Sequence, residues 1–226
     1  MDAGLVDAGL VADSSLGGPA DHIDAGVELL QQRCPHLGAL VAQTDRYRLA
    51  PVTATDEGYF AALVHIVIGQ QISTVAADRI HDRLVASLDG LVTPSHIVSR
   101  SVAHLRAAGL STAKARTLQG LASAHLAGEL PLAELAEATD DEVVRALSAI
   151  WGIGRWTAEM FLMFTMGRHD VWPVGDLAVR RGWAIVHDLP AVPTAAELDP
   201  VGEQFRPYRS VAAWYCWRVL EPVEAW

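Results

Sequence analysis

Apolar residues recur every three to four positions along most of this chain, the period of a helix with one buried face. The pattern predicts helices at 21–33, 56–68, 73–88, 101–108, 112–127, 139–149, 155–167, 176–187 and 207–220. No stretch alternates with period two for long enough to make a strand. Pro94, Pro131, Pro173, Pro190, Pro193 and Pro207 fall between these helices or at their starts, where a missing N–H is tolerated. The expectation is an all-α fold of many short helices. Residues 1–20 repeat Asp-Ala-Gly-Leu-Val and then run into Ser-Ser-Leu-Gly-Gly-Pro, which reads as a disordered tail.

The junctions between helices carry the chemistry. Gly152-Ile153-Gly154 forms a short hairpin that opens a helix near Arg155. A turn containing Pro173 then delivers Asp176 to the start of the next helix. Backbone N–H groups clustered at a helix start suit a phosphate, and a carboxylate at a helix start is kept ionised by the helix dipole. An anion-binding hairpin coupled to a fixed carboxylate points to chemistry on a nucleic-acid backbone or on the bond between base and sugar. Taken singly, the hairpin also reads as a tight turn and Asp176 as a plain N-cap.

Three other segments stand out. Gly69-Gln70-Gln71-Ile72-Ser73-Thr74 joins two helices with adjacent glutamines, which are costly to bury without partners. Residues 105–118 make a second helix–Gly–helix unit bearing Arg106, Lys114 and Arg116. Residues 206–217 open the last helix with Arg206 and Arg209 and place Trp214, Tyr215 and Trp217 on it.

Composition narrows the partners. Of 226 residues, 51% are hydrophobic, enough for one good-sized core or two small ones. No apolar run approaches a membrane span, and the N-terminus lacks the pattern of a signal peptide. The formal net charge of −10 argues at first sight against nucleic acid. Residues 1–58 carry much of it, whereas 91–183 are balanced at nine acidic and nine basic side chains. DNA needs only a local positive face, so the expectation is modest affinity with a small salt slope. Cys34 and Cys216 are too few for a disulfide framework or an all-cysteine four-ligand iron–sulfur cluster, and a cytoplasmic protein with free thiols is expected. His65, His81, His96, His104 and His125 lack metal-ligand spacing, so no zinc is expected.

Together, "GQQIS" at 69–73, "GLSTAKARTLQGLA" at 109–122, "GIGRWTAEMFLMFTMGRHDVWPVGD" at 152–176 and "RPYRS" at 206–210 resemble the helix-hairpin-helix DNA glycosylase superfamily. They look most like its alkylated-base branch, the 3-methyladenine DNA glycosylase II (AlkA) type. The resemblance covers about residues 59–220 and implies a two-lobed helical fold with the active site between the lobes. One lobe would be about 59–168, and the other about 21–58 plus 169–226. Too few residues precede position 59 for the additional sheet-containing domain of the longest members.

The resemblance also assigns roles. Asp176 would be the catalytic carboxylate. Trp156, Met160 and Trp217 would line the base pocket, with core packing the alternative for each tryptophan; Met160 stands where some relatives place a tyrosine. Trp156 occupies the position of a Schiff-base lysine in bifunctional relatives, which implies a monofunctional enzyme that uses water. Gln71 would be the wedge that fills the duplex after the base leaves, with Gln70 or Ser73 sharing the task; a helix cap is the alternative. Gly152, Gly154, Arg155, Thr157, Lys114, Arg116, Arg206 and Arg209 would contact phosphates. The carbonyls of Ser148, Ile150 and Ile153 would hold a structural monovalent cation, sodium or potassium, and no other cofactor is implied. The expected partner is double-stranded DNA containing alkylated purines of the 3-methyladenine and 7-methylguanine type, bound by a monomer in base excision repair. A non-catalytic helix-hairpin-helix DNA-binding protein and a glycosylase for oxidised or deaminated bases are the competing readings.

Overall fold

The computed structural model describes residues 19–44, 47 and 51–220. Among them are twelve α-helices, short 3-10 and π segments, and no strands. The centre is α3 (Asp56–Gly69), whose Tyr59, Phe60, Leu63, Val64, Val67 and Ile68 are all buried. A helix with so little polar face must be surrounded. It is covered by α4 (Thr74–Ser87), α7 (Thr112–Leu126) and α9 (Arg155–Met160). α5 (Pro94–Ser99) and α6 (Val102–Ala107) pack on α7, and α8 (Asp140–Ser148) packs on α9.

A second set of helices gathers on α12 (Arg209–Arg218), against which α1 (Pro19–Arg33), α2 (Pro35–Val41) and α10 (Leu177–Val186) pack. α11 (Ala195–Leu198) leads into a 3-10 helix over Asp199–Phe205. The α10–α12 crossing is so close that a Cβ at Gly182 would overlap the Cys216 carbonyl. Trp172, Trp183 and Phe205 fill the space behind it, with ring centroids 6.1–6.5 Å apart.

Helix starts follow capping chemistry. Thr55, Ser73, Thr93, Ser101, Ser111, Thr139 and Thr194 each accept an N–H of their helix's first turn. At α8 and α11 a glutamate reciprocates and completes a capping box. The structure adds three helices the period did not announce: α2, α5 and α11, of four to seven residues. Two turns or fewer carry no readable period; two of these helices begin on a proline, Pro35 and Pro94.

The helix expected over 155–167 divides into α9 and a π-turn over Phe161–Thr165, where the Met166 N–H donates to the Phe161 carbonyl at 3.0 Å. The last helix starts at Arg209 rather than 207. Of the expected tail, residues 1–18 lie outside the described residues, and Pro19 and Ala20 belong to α1. No helix among the described residues is long and apolar enough to cross a membrane.

Candidate active site

Asp176 stands where α9, α10 and α12 meet. It is the N-cap of α10, and its Oδ1 accepts the N–H groups of Ala178 at 2.7 Å and Val179 at 3.0 Å. From α9, the Trp156 indole N–H donates to Oδ2 at 2.6 Å. From α12, the Trp217 indole N–H donates to Oδ1 at 3.2 Å. Four neutral donors therefore fix the carboxylate, and among the described residues no guanidinium or ammonium pairs with it. Neutral donors orient an anion and leave its net charge in place. Asp176 remains partly exposed between the two indoles.

Aromatic surface extends from this point. The Phe164 ring lies 5.6 Å from that of Trp217 at 35° and is 42% exposed. Phe164 sits in the π-turn, where the widened helix changes the direction of its side chains. Met160 is buried and contributes to the core beneath.

The hairpin lies at the start of the same helix. The Ile153 N–H closes the turn on the Ile150 carbonyl at 3.0 Å. Gly152 has φ +85°, and a Cβ there would overlap the Thr117 hydroxyl, so the protein's own packing requires glycine. Gly154 differs. A Cβ there would meet none of the described residues within 4 Å. As N-cap of α9 it supplies no side-chain acceptor, so the first-turn N–H groups of α9 stay open to an outside acceptor. Arg155 extends beside them with its side chain 70% exposed and its Nε 2.9 Å from Glu159. Glu159 is buried; desolvation pushes its carboxyl up, against the opposing pull of Arg155.

Several residues read as DNA contacts are engaged within the protein. Gln70 donates through Nε2 to the Gly152 carbonyl at 3.2 Å and to the Thr157 hydroxyl at 2.8 Å, so its amide braces the hairpin instead of entering a duplex. Thr157 is buried, which leaves only its backbone N–H for a phosphate. Ser73 caps α4 by accepting the Ala76 N–H. The Lys114 ammonium lies 2.7 Å from the carbonyls of both Ile68 and Gln70, neutralising the negative end of α3, and burial lowers its pKa. Arg209 is clamped to Asp170, with its Nε 2.7 Å from Oδ1, and its side chain is only 16% exposed. Arg206 reaches the same carboxylate at 2.6 Å and Glu203 at 3.0 Å.

What stays available is a shorter set. Gln71 is exposed, takes no hydrogen bond from the described residues and has φ +59°, a left-handed conformation that turns its side chain away from the helix path. Arg116 is exposed and forms no ion pair among the described residues. Two features escaped the sequence reading. It considered the tryptophans only as ring faces, although the indole N–H, a donor without an acceptor role, was the signal that they could hold Asp176. Phe164 carried no signal, because a regular helix over 155–167 does not anticipate the π-turn.

A helical chain that sets a carboxylate between indoles beside a glycine-capped hairpin defines a class. The model of the HhH-GPD superfamily base excision DNA repair protein matches residues 64–203. This chain belongs to that superfamily. It is 36% identical over 162 residues to DNA-3-methyladenine glycosylase 1 of Schizosaccharomyces pombe, covering 70% of this chain and 71% of the relative. Among solved structures it is similar to the S. pombe 3-methyladenine DNA glycosylase in complex with abasic DNA, with TM-score 0.78, 32% identity and coverage of 86% and 95% of the two chains. It is also similar to a DNA-3-methyladenine glycosidase from Bacillus halodurans, with TM-score 0.71, 31% identity and coverage of 85% and 88%.

Proposed function

We propose that this chain is a monofunctional DNA glycosylase that acts as a monomer on duplex DNA and hydrolyses the N-glycosidic bond of alkylated purines in base excision repair. The observation that carries the proposal is the Asp176 carboxylate, fixed by two indoles and two backbone N–H groups and neutralised by none of them. Cleaving the base–sugar bond builds positive charge on the sugar, and a preorganised anion stabilises that state more than the ground state. The same carboxylate orients the attacking water. Trp156, where bifunctional members carry lysine, cannot form a Schiff base, so water is the nucleophile.

Substrate selection follows from ring chemistry. Alkylation at a purine nitrogen makes the base cationic and a good leaving group, so a strong general acid is not needed. A flipped cationic base against Trp156 and Trp217 gains about 0.5–2 kcal/mol from an indole face. Gln71 alone takes the wedge role, filling the gap and hydrogen-bonding the orphaned partner base. The phosphate beside the lesion sits on the first-turn N–H groups of α9, with Gly154 allowing close approach and Arg155 and Arg116 adding charge. With so few free cations at the hairpin, the logarithmic salt slope of binding is about −2 to −3. The Ser148, Ile150 and Ile153 carbonyls hold a sodium or potassium ion, since neutral oxygens suit a single charge. We also read 59–168 and 21–58 with 169–226 as two lobes, with Asp176 facing the cleft.

The test is release of free base from methylated duplex DNA. Liberation of 3-methyladenine or 7-methylguanine, with an intact strand and an abasic site, is the expected result. A borohydride-trapped protein–DNA adduct contradicts the monofunctional mechanism. DNA binding without release from alkylated, oxidised or deaminated substrates returns the chain to a non-catalytic binding role.

A further inference from the structure

The far end of α10 holds a cluster unrelated to the proposed catalytic groups. His187 is the C-cap of α10, Cys34 is the N-cap of α2, and His36 lies two residues beyond Cys34. Ligand atoms of Cys34, His36 and His187 all lie within 4.8 Å of one another. Cys34 is buried, His187 partly buried and His36 exposed. The Cys34 Sγ is 3.3 Å from His187 Nε2, and the two histidine rings are 5.1 Å apart.

The hydrogen bonds fix the protonation of this cluster. His187 Nδ1 lies 3.0 Å from the Trp183 carbonyl, which can only accept, so Nδ1 carries the proton. Nε2 is then the lone-pair nitrogen, and it faces the Cys34 thiol, which donates to it. Backbone carbonyls commonly orient metal-ligating histidines in this way. The indole of Trp183 stacks on the ring at 3.8 Å and 25°, locking its plane.

We propose that Cys34, His36 and His187 form a site for a single zinc-class divalent cation that fastens the α1–α2 segment to the C-terminal end of α10. Tetrahedral zinc with thiolate and imidazole ligands places ligand atoms about 3.3–3.6 Å apart. The Cys34–His187 pair already has that spacing. A rotation of the exposed His36 brings in the third ligand, and its exposure provides the entry path. On binding, the Cys34 S–H bond breaks, the thiolate sulfur bonds to the metal, and the proton leaves to solvent. Solvent water fills the fourth position. The cation also lies at the negative end of the α10 dipole. Asp176 caps the opposite end of the ten-residue helix, about 15 Å away, so the clamp leaves the hydrolytic centre untouched. Cys34 and His187 are 153 positions apart, which is why spacing along the chain gave no hint of a site.

The test is cobalt titration of the chelator-treated full chain. The expected result is one equivalent of Co²⁺ bound, with a near-ultraviolet thiolate-to-cobalt charge-transfer band. Cys34→Ser should abolish the band and Cys216→Ser should keep it. His36→Ala alters only an exposed side chain, so it folds normally, and it should weaken Co²⁺ affinity at least 10-fold. Zn²⁺ should raise the Tm of the wild type progressively with its concentration, and much less that of His36→Ala. Absence of the band at one equivalent, a band that survives in Cys34→Ser, or equal Zn²⁺ stabilisation of wild type and His36→Ala would overturn the site. Base-release activity is not the readout, so failure here leaves the glycosylase reading intact.

Discussion

Asp170 and Asp176 are six positions apart and chemically identical, and the fold puts them to opposite uses. Asp170 accepts from Arg209 at 2.7 Å and from Arg206 at 2.6 Å. Its charge is cancelled where it stands, and it ties the segment before the Pro173 turn to the start of α12. Among the described residues Asp176 receives only indole and backbone N–H groups, so its charge stays available to whatever approaches it. Two other pairs repeat the division. Gln70 braces the hairpin while Gln71 projects into solvent. Gly152 is demanded by Thr117 and a positive φ, whereas none of the described residues crowds Gly154. In each pair one member completes the fold and the other faces outward. A functional residue is marked by a constraint or a charge that the protein itself does not use.

The sharpest way to break this comparison is to neutralise each aspartate in turn. Asp176→Asn keeps the N-cap through its Oδ1, but its amide NH2 stands where Oδ2 accepts the Trp156 indole N–H, so that one contact is lost. Base release in single turnover should fall about 10²–10³-fold, or roughly 3–4 kcal/mol, while stability falls only by that contact, about 1 kcal/mol. Asp170→Asn should reverse the pattern. It leaves the half-buried Arg209 poorly paired, costs about 2 kcal/mol in denaturant unfolding and spares the rate below the melting transition. Equal rate losses in both variants would end the distinction.

The glycines test it next. Gly152→Ala forces a side chain into a left-handed backbone and into Thr117, for about 2–4 kcal/mol of stability. Gly154→Ala should lose only about 0.5 kcal/mol, the cost of alanine at an N-cap, and bind lesion duplex several-fold more weakly, because its methyl group obstructs an outside phosphate. Unfolding curves and binding isotherms on the two variants separate these outcomes, and a Gly154→Ala as destabilised as Gly152→Ala would refute the reading.

For the glutamines, Gln71→Ala should lose about 1–3 kcal/mol of activity on a well-paired lesion and less when the lesion faces a mismatch, where less stacking is broken. Gln70→Ala should lose about 1 kcal/mol of stability and an equal fraction of activity on both substrates. A Gln71 loss independent of pairing would show that it is no wedge.

The smallest effect concerns the carboxylate's own support. Trp217→Phe retains the ring and removes the 3.2 Å donor to Asp176, which should lower the rate about 5- to 10-fold, equivalent to roughly 1–1.4 kcal/mol. The loss should fall mainly on kcat, because the aromatic face remains. A change confined to KM would mean that Trp217 serves the base alone.

Local information in the sequence was sufficient for local results. The all-helical class and the positions of the long helices follow from the 3.6-residue period. The hairpin and Asp176 were legible because φ demands and N-caps are also short-range, and the resemblance tied the two together. The period failed on α2, α5 and α11, which are too short to show one, and on the π-turn that exposes Phe164.

What only the tertiary structure decided is which of several like residues is used up inside the fold. Lys114 finds the α3 carbonyls, Arg209 finds Asp170 and Gln70 finds Gly152, each through contacts 39 to 82 positions away in the chain. The indoles of Trp156 and Trp217 converge on one carboxylate from helices 20 and 41 positions away, and Cys34 meets His187 across 153. The chain's letters state what each group can donate or accept. The partner it meets depends on how apolar faces stack, and that is settled by packing over the whole core at once.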